Sequence, residues 1–139
     1  MPTRRLLIVA HAPSPNTRQL LDAVVDGARS PEIDNVDVQV VAPLQAGADD
    51  VLGTEALILG TTENLGYMSG ALKDFFDRIY YPCLEKTQGL PYALYIRAGY
   101  DGTGTRRRRR GDRHRPALAG GAGAADLQGR MAHLSLIHI

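Results

Sequence analysis

Four short apolar runs, set apart by polar stretches bearing glycine and proline, constrain this chain most. Arg4–Ala10 (RRLLIVA), Val36–Val41 (VDVQVV), Glu55–Gly60 (EALILG) and Tyr92–Arg97 (YALYIR) are β-compatible segments of six or seven residues. The first and third are nearly continuous in apolar character, the pattern of a strand covered on both faces, while the second alternates. Segments of helical period lie between them. In TRQLLDAVVDGAR, Leu20, Leu21, Val24, Val25 and Ala28 recur at helical spacing with Asp22 and Asp26 on the opposite side. Asn16 or Thr17 is the expected N-cap, and Ser30-Pro31 the stop. Pro43–Gly53 leaves room for a turn or two of helix around Ala46–Val51. Ser69 is the expected N-cap of SGALKDFFDRIYY, whose Leu72, Phe75, Phe76 and Ile79 form one apolar face and which Pro82 should close.

Strand, helix, strand, short helix, strand, helix, strand with brief connections is the signature of an α/β protein with a doubly wound parallel sheet. Right-handed crossovers bring the C-terminal ends of all strands to one edge. Three informative loops follow strands and therefore gather there: residues 11–17, 61–68 and 98–104. In open α/β sheets that edge is where ligands bind.

Composition narrows the classes further. The 139 residues suit one domain, and the single cysteine, Cys83, excludes an intramolecular disulfide and a cysteine-built zinc site. No apolar run approaches the roughly 20 residues of a membrane span. The run Leu6–Ala10 is too short for a signal-peptide core, so the expected location is cytoplasmic, with no membrane partner. The net charge of +1 hides two compositions. Residues 1–105 carry 8 Lys and Arg against 13 Asp and Glu, a net −5, whereas residues 106–139 carry 8 Arg against 2 Asp, a net +6.

The loop HAPSPNT joins a buried strand to a helix N-terminus, a place that directs backbone N–H groups and the positive end of the helix dipole at a phosphate-sized anion. Ser14, Asn16 and Thr17 add side-chain donors. The loop has neither the GxxxxGK[ST] nor the GxGxxG pattern, and a capped turn is the simpler account of it. The segment GTTENLGYMSGALKDFFDR is small, polar and glycine-containing in its first half, so its backbone can approach a flat ligand. Tyr67 and Met68 offer flat or polarizable surfaces, or else pack under the next helix. AGYDGTGT has glycines at 99, 102 and 104, with Tyr100 as a stacking surface. His11 reads as a loop histidine with a backbone partner, and Cys83 as a structural thiol. No acid–base or nucleophilic residue stands out as catalytic, and no metal set is present in the sequence.

Together these residues resemble the flavodoxin-like family of FMN-binding proteins, and within it the NAD(P)H-dependent FMN reductases. HAPSPNTRQLLDAV is similar to the family's phosphate loop, GTTENLGYMSGALKDFFDR to its GTPxxxGxMSxxxKxFxDR segment, and AGYDGTGT to the loop after its fourth strand. The resemblance covers most of residues 4–105 and implies strand order 2-1-3-4-5. It implies that Ser14, Asn16 and Thr17 hold the FMN phosphate. Thr61, Thr62, Glu63, Asn64, Leu65 and Gly66 would run along the isoalloxazine, with Gly99, Tyr100, Asp101 and Gly102 closing its other side. NAD(P)H is the implied co-substrate, and a small-molecule electron donor or acceptor, or a redox protein, the implied partner; subunit pairing into a homodimer also goes with the resemblance. Ala12, Pro15 and Thr62 depart from the family pattern, where Ser, Gly and Pro are frequent. Two other functions compete: a single-electron carrier, which the acidic body suits, and a flavodoxin-like domain that no longer binds FMN.

Residues 106–139 read differently. Arg106–Arg110, Arg113 and Arg115 suggest a nucleic-acid arm, but no aromatic follows Tyr100 for stacking on bases, and no nucleic-acid partner is expected. Arginine, alanine and glycine are what GC-rich coding DNA yields out of frame. In the frame one nucleotide later, Met131-Ala132 must encode tryptophan, and the back-translated stretch can encode a helix and a fifth strand. The last six residues, LSLIHI, match a translation of CTGTCTCTTATACACATC, which resembles a transposase adapter. The expectation is therefore a flavodoxin-like domain over 1–105, truncated after its fourth strand, and a non-native, disordered tail over 106–139. Such a chain would expose a sheet edge and aggregate.

Overall fold

A computed structural model describes residues 2–65 and 67–97 of the chain. Gly66, Gly99, Tyr100, Asp101, Gly102 and the 106–139 tail singled out above lie outside the described residues. Eight elements follow in order: β1 Arg4–Ala10, α1 Pro15–Ala28, β2 Val36–Val41, α2 Ala48–Leu52, β3 Ala56–Asn64, β4 Tyr67–Met68, α3 Gly70–Cys83 and β5 Tyr92–Arg97.

The four expected strands form one parallel sheet in the order β2-β1-β3-β5. This is the 2-1-3-4 part of the expected order; β5 is the fourth strand of the sequence reading. Alternation along β1 sends Leu7 and Val9 to one face and Ile8 and Ala10 to the other, and all four are buried. On the first face lie Leu57, Leu59, Leu94 and Ile96, covered by Leu72, Phe75, Phe76, Ile79 and Cys83 of α3. On the second, Leu20, Leu21, Val24, Val25 and Ala28 of α1 cover Ile8, Ala10 and Val38. Helices on both faces make the sheet doubly wound.

Three local expectations need correction. The stretch TTENLGYM is not a loop: β3 continues through Asn64, and β4 folds back against it with Glu63 opposite Met68 and Asn64 opposite Tyr67. The extension is held from below by Thr61, only 2% exposed, whose Oγ1 accepts the Ser69 N–H at 3.0 Å. Leu65 turns the chain with φ of 51°, the left-handed region.

The N-cap of α1 is Ser14, not Asn16 or Thr17. Pro15 then occupies the first helical position, where its missing N–H costs nothing. Ser14 Oγ accepts the Thr17 N–H at 3.3 Å, and the Ser14 N–H donates to Thr17 Oγ1 at 2.9 Å, a reciprocal capping box. Finally, α3 runs through Pro82 to Cys83. Cys83 is fully buried on the same stripe as Phe76 and Ile79, and this packing carries the last turn past the proline.

Candidate functional site

Register places the four strand ends side by side. Ala10 pairs with Gly60, Val9 with Val41, and Thr62 with Arg97. The His11 N–H donates to Gly60 O at 3.0 Å, which ties the start of the first loop to β3. The C-terminal edge therefore brings together residues 11–16, the β3–β4 hairpin and the end of β5 at Arg97.

The first loop has fewer free donors than its position suggests. Pro13 and Pro15 have no N–H. The amides of His11, Ser14, Thr17 and Arg18 are all engaged, the last two by the Ser14 side chain and carbonyl. The Ser14 and Thr17 hydroxyls stand 2.9 Å apart, and Thr17 Oγ1 also donates to Ser14 O. Thr17 is 6% exposed. Both hydroxyls thus serve the cap rather than facing outward. Ala12 and Asn16 keep amides with no partner among the described residues, and the Asn16 side chain is exposed. No acidic residue occupies the first turn of α1, so the positive end of this 14-residue helix is not offset.

The second segment divides by face. Thr61 points to the α3 side and spends its hydroxyl on Ser69 N and Thr62 O, so only its backbone borders the edge. Thr62 points to the α1 side, and its Oγ1 is covered without a hydrogen-bond partner. Glu63 is half-buried and partnered, while Asn64 is exposed. Leu65 is fully exposed at the hairpin tip. Met68 is 4% exposed in the core and Tyr67 packs partly against it. Of the two accounts offered for this pair, packing is the one realised.

Two residues that shape the edge, Arg78 and Tyr95, were not picked out from the sequence, and a third, Ser69, has a second role beyond the expected cap. Arg78 on α3 donates to Ala46 O at 2.7 Å and Pro43 O at 2.6 Å, pinning the loop after β2, and pairs with Asp74 at 2.7 Å. Ser69 caps α3 as expected and also fixes Thr61. The end of the Tyr95 ring occupies the space where a side chain at Gly60 would stand. A lone glycine ending a buried strand was the available signal for that contact.

Cys83 lies at the far end of α3, and burial pushes its thiol pKa up, with Lys86 opposing and Asp49 adding to the effect. It is a packing thiol. Among the described residues no cluster of His, Cys, Asp or Glu could hold a metal ion, and no helix is long and apolar enough to cross a membrane. A cavity of about 250 Å³ lined by Leu6, Ala28, Ile33, Val36, Ala56 and Pro91 opens at the opposite, N-terminal edge and has no part in this arrangement.

No family model matches the chain. It is 29% identical over 75 residues to a flavodoxin from Aquifex aeolicus, a stretch covering 54% of this chain and 40% of that protein. A flavodoxin from the domain Archaea superposes with a TM-score of 0.57 at 25% identity, over 69% of this chain and 64% of the other. The apo form of an NADH:FMN oxidoreductase superposes with a TM-score of 0.57 at 15% identity, over 98% and 72%; this likeness is one of fold. The chain thus spans less than half of the curated flavodoxin it matches.

Proposed function

Since the chain carries the flavodoxin-like α/β fold, we propose that it binds FMN at the C-terminal edge of its sheet and belongs to an NAD(P)H-dependent FMN oxidoreductase. The observation that carries this reading is the convergence of residues 11–16, the β3–β4 hairpin and the exit of β5 on one edge. The donor set suits a phosphorylated, hydroxyl-bearing ligand. The Ala12 and Asn16 amides, the Asn16 side chain and the α1 dipole would hold the phosphate, with Ser14 and Thr17 keeping that helix end in shape. The unpartnered Thr62 hydroxyl is a buried donor that a ligand oxygen would satisfy. The backbone from Thr61 to Leu65 would lie along the ring, and Gly99, Tyr100, Asp101 and Gly102 would close its other side. Bound FMN supplies hydride and single-electron chemistry, leaving binding, orientation and electrostatics to the protein.

Titration of the protein with FMN, followed by flavin fluorescence, tests binding; anaerobic addition of NADH or NADPH to the yellow protein tests the reaction. Expected outcomes are quenching of the flavin and bleaching of its visible absorbance by the nicotinamide. A yellow protein inert to both nicotinamides but exchanging single electrons with a redox protein would establish the carrier reading. The net −5 of residues 1–105 and the likeness to flavodoxins favour that second reading. A chain that never retains flavin would refute both.

A further inference from the structure

The N-terminal edge of the sheet, opposite the site described above, carries a recess with apolar walls and a basic rim. Alternation along β1 puts Arg4 and Leu6 on the α1 side with Ile8. Register sets Arg4 beside Val36, and Leu6 between Val38 and Ala56. Leu6, Ala28 and Val36 belong to the cluster beneath α1 but stay only partly buried, and Ile33 is 48% exposed. With Ala56 and Pro91, these side chains surround the cavity of about 250 Å³. The loop after α1 is pinned in a form that leaves it open. The Arg4 N–H donates to Asn35 O at 2.8 Å and the Ile33 N–H to Ser30 O at 2.9 Å, while Asn35 turns the chain at a φ of 59°. Hydrogen-bonded backbone thus frames the recess.

Charge at the rim is unbalanced. Arg4, Arg5 and Glu55 all border the cavity. Glu55 is committed, since its Oε2 accepts the Arg5 N–H at 2.5 Å, and the Arg5 guanidinium lies near Gly53 at the end of α2. Arg4 is exposed, and its side chain makes no hydrogen bond or ion pair with a described residue. Asp34 borders a neighbouring recess that Arg4 and Val36 also line, yet no ion pair joins Asp34 to Arg4. A guanidinium beside an apolar hollow selects a ligand with an anionic head and an apolar body. A strongly polar ligand would leave the walls unused, and a cation would be repelled by Arg4. An apolar cavity of about 150 Å³ accommodates a benzene-sized molecule, so this larger one suits a body of about eight to ten carbons.

We propose that this edge is a binding site for a small amphipathic carboxylate, whose apolar body fills the recess while Arg4 holds the carboxylate. The inference does not rest on the FMN reading, because the two sites lie at opposite edges of the sheet. Its test titrates the full chain with octanoate, and with octanol as the uncharged control, by calorimetry, and locates the contact by amide chemical-shift changes. Octanoate should bind saturably at one site per chain and shift the amides of Ile33, Val36 and Ala56. Arg4→Gln, a change at an exposed side chain, should weaken octanoate binding about three- to tenfold, the loss of one charge-assisted contact at a solvated rim, and leave octanol unaffected. Ile33→Glu should weaken octanoate more than octanol, because it removes part of an apolar wall and adds a like charge. Binding that does not saturate, shifts confined to other parts of the chain, or an Arg4→Gln variant of unchanged octanoate affinity overturns the proposal. A chain that sediments as a dimer with the Ile33 and Ala56 amides protected from exchange would show that a second copy covers this edge, and overturns it as well.

Discussion

Replacing Gly60 with alanine puts the packing of this sheet to a quantitative test. The added methyl would meet Tyr95 Cζ, Oη and Cε1 at 2.3, 2.4 and 2.6 Å, against an ordinary carbon–carbon contact of about 3.5–4.0 Å. The ring must retreat by more than an ångström, but α1 and Ile8 pack around it and Tyr95 is 4% exposed. Overpacking of this kind costs about 1–3 kcal/mol. Alanine recovers about 0.5–1 kcal/mol that glycine forfeits within a strand, so the net loss is on the order of 1–2 kcal/mol. In urea, with a slope of about 1–2 kcal/mol/M, the unfolding midpoint should fall by about 1 M. The decisive comparison is a double-mutant cycle. In a Tyr95→Val background the obstacle is gone, so Gly60→Ala should be neutral or stabilising there, giving a coupling of about 1–3 kcal/mol. Equal losses from Gly60→Ala in both backgrounds would refute the argument that Tyr95 dictates glycine at position 60.

The remaining predictions concern other contacts. Arg78→Lys should lose the double grip on Ala46 O and Pro43 O, because one ammonium cannot reproduce the guanidinium fork; a urea midpoint lower by the equivalent of about 1–2 kcal/mol is expected. Leu65→Asn should raise the melting temperature slightly, since asparagine tolerates a φ of 51° better and the fully exposed leucine gives up no packing. A loss of stability there would show that Leu65 makes a contact beyond those described. Tyr95, with its pKa pushed up to about 12, binds its proton more tightly when folded than when unfolded. Its contribution is therefore fully present below about pH 10, the unfolded value, and is lost as pH rises toward 12. Urea titrations across that window should show a steeper decline in the parent chain than in Tyr95→Phe.

The two kinds of legibility separate by the range of the interaction involved. Apolar periodicity located β1, β2, α1 and α3 within a few residues, because each buries its own face and writes that face into its own sequence. The parallel order followed from the alternation of strand and helix, and the gathering of three loops at one edge followed from the order. The hairpin at Thr61–Met68 was not legible. Its pairing depends on Thr61 being held by Ser69, eight residues away, and the stretch TTENLGYM has the small, polar look of a loop. The Ser14 cap was obscured by Asn16 and Thr17, which are equally good capping types; Pro15 at the first helical position decides among them.

What the sequence alone determined is the alternating architecture, the −5 charge of residues 1–105 and the loops that gather at one edge of the sheet, since periodicity and residue type are local properties. Which donors are free was decided only in three dimensions. The Ser14 and Thr17 hydroxyls close on each other, Thr61 turns inward to Ser69, and the Thr62 hydroxyl is left covered and unpaired. A hydroxyl is the same group in any sequence. Whether it holds the fold or faces a ligand depends on the partner that the tertiary structure brings within about 3 Å.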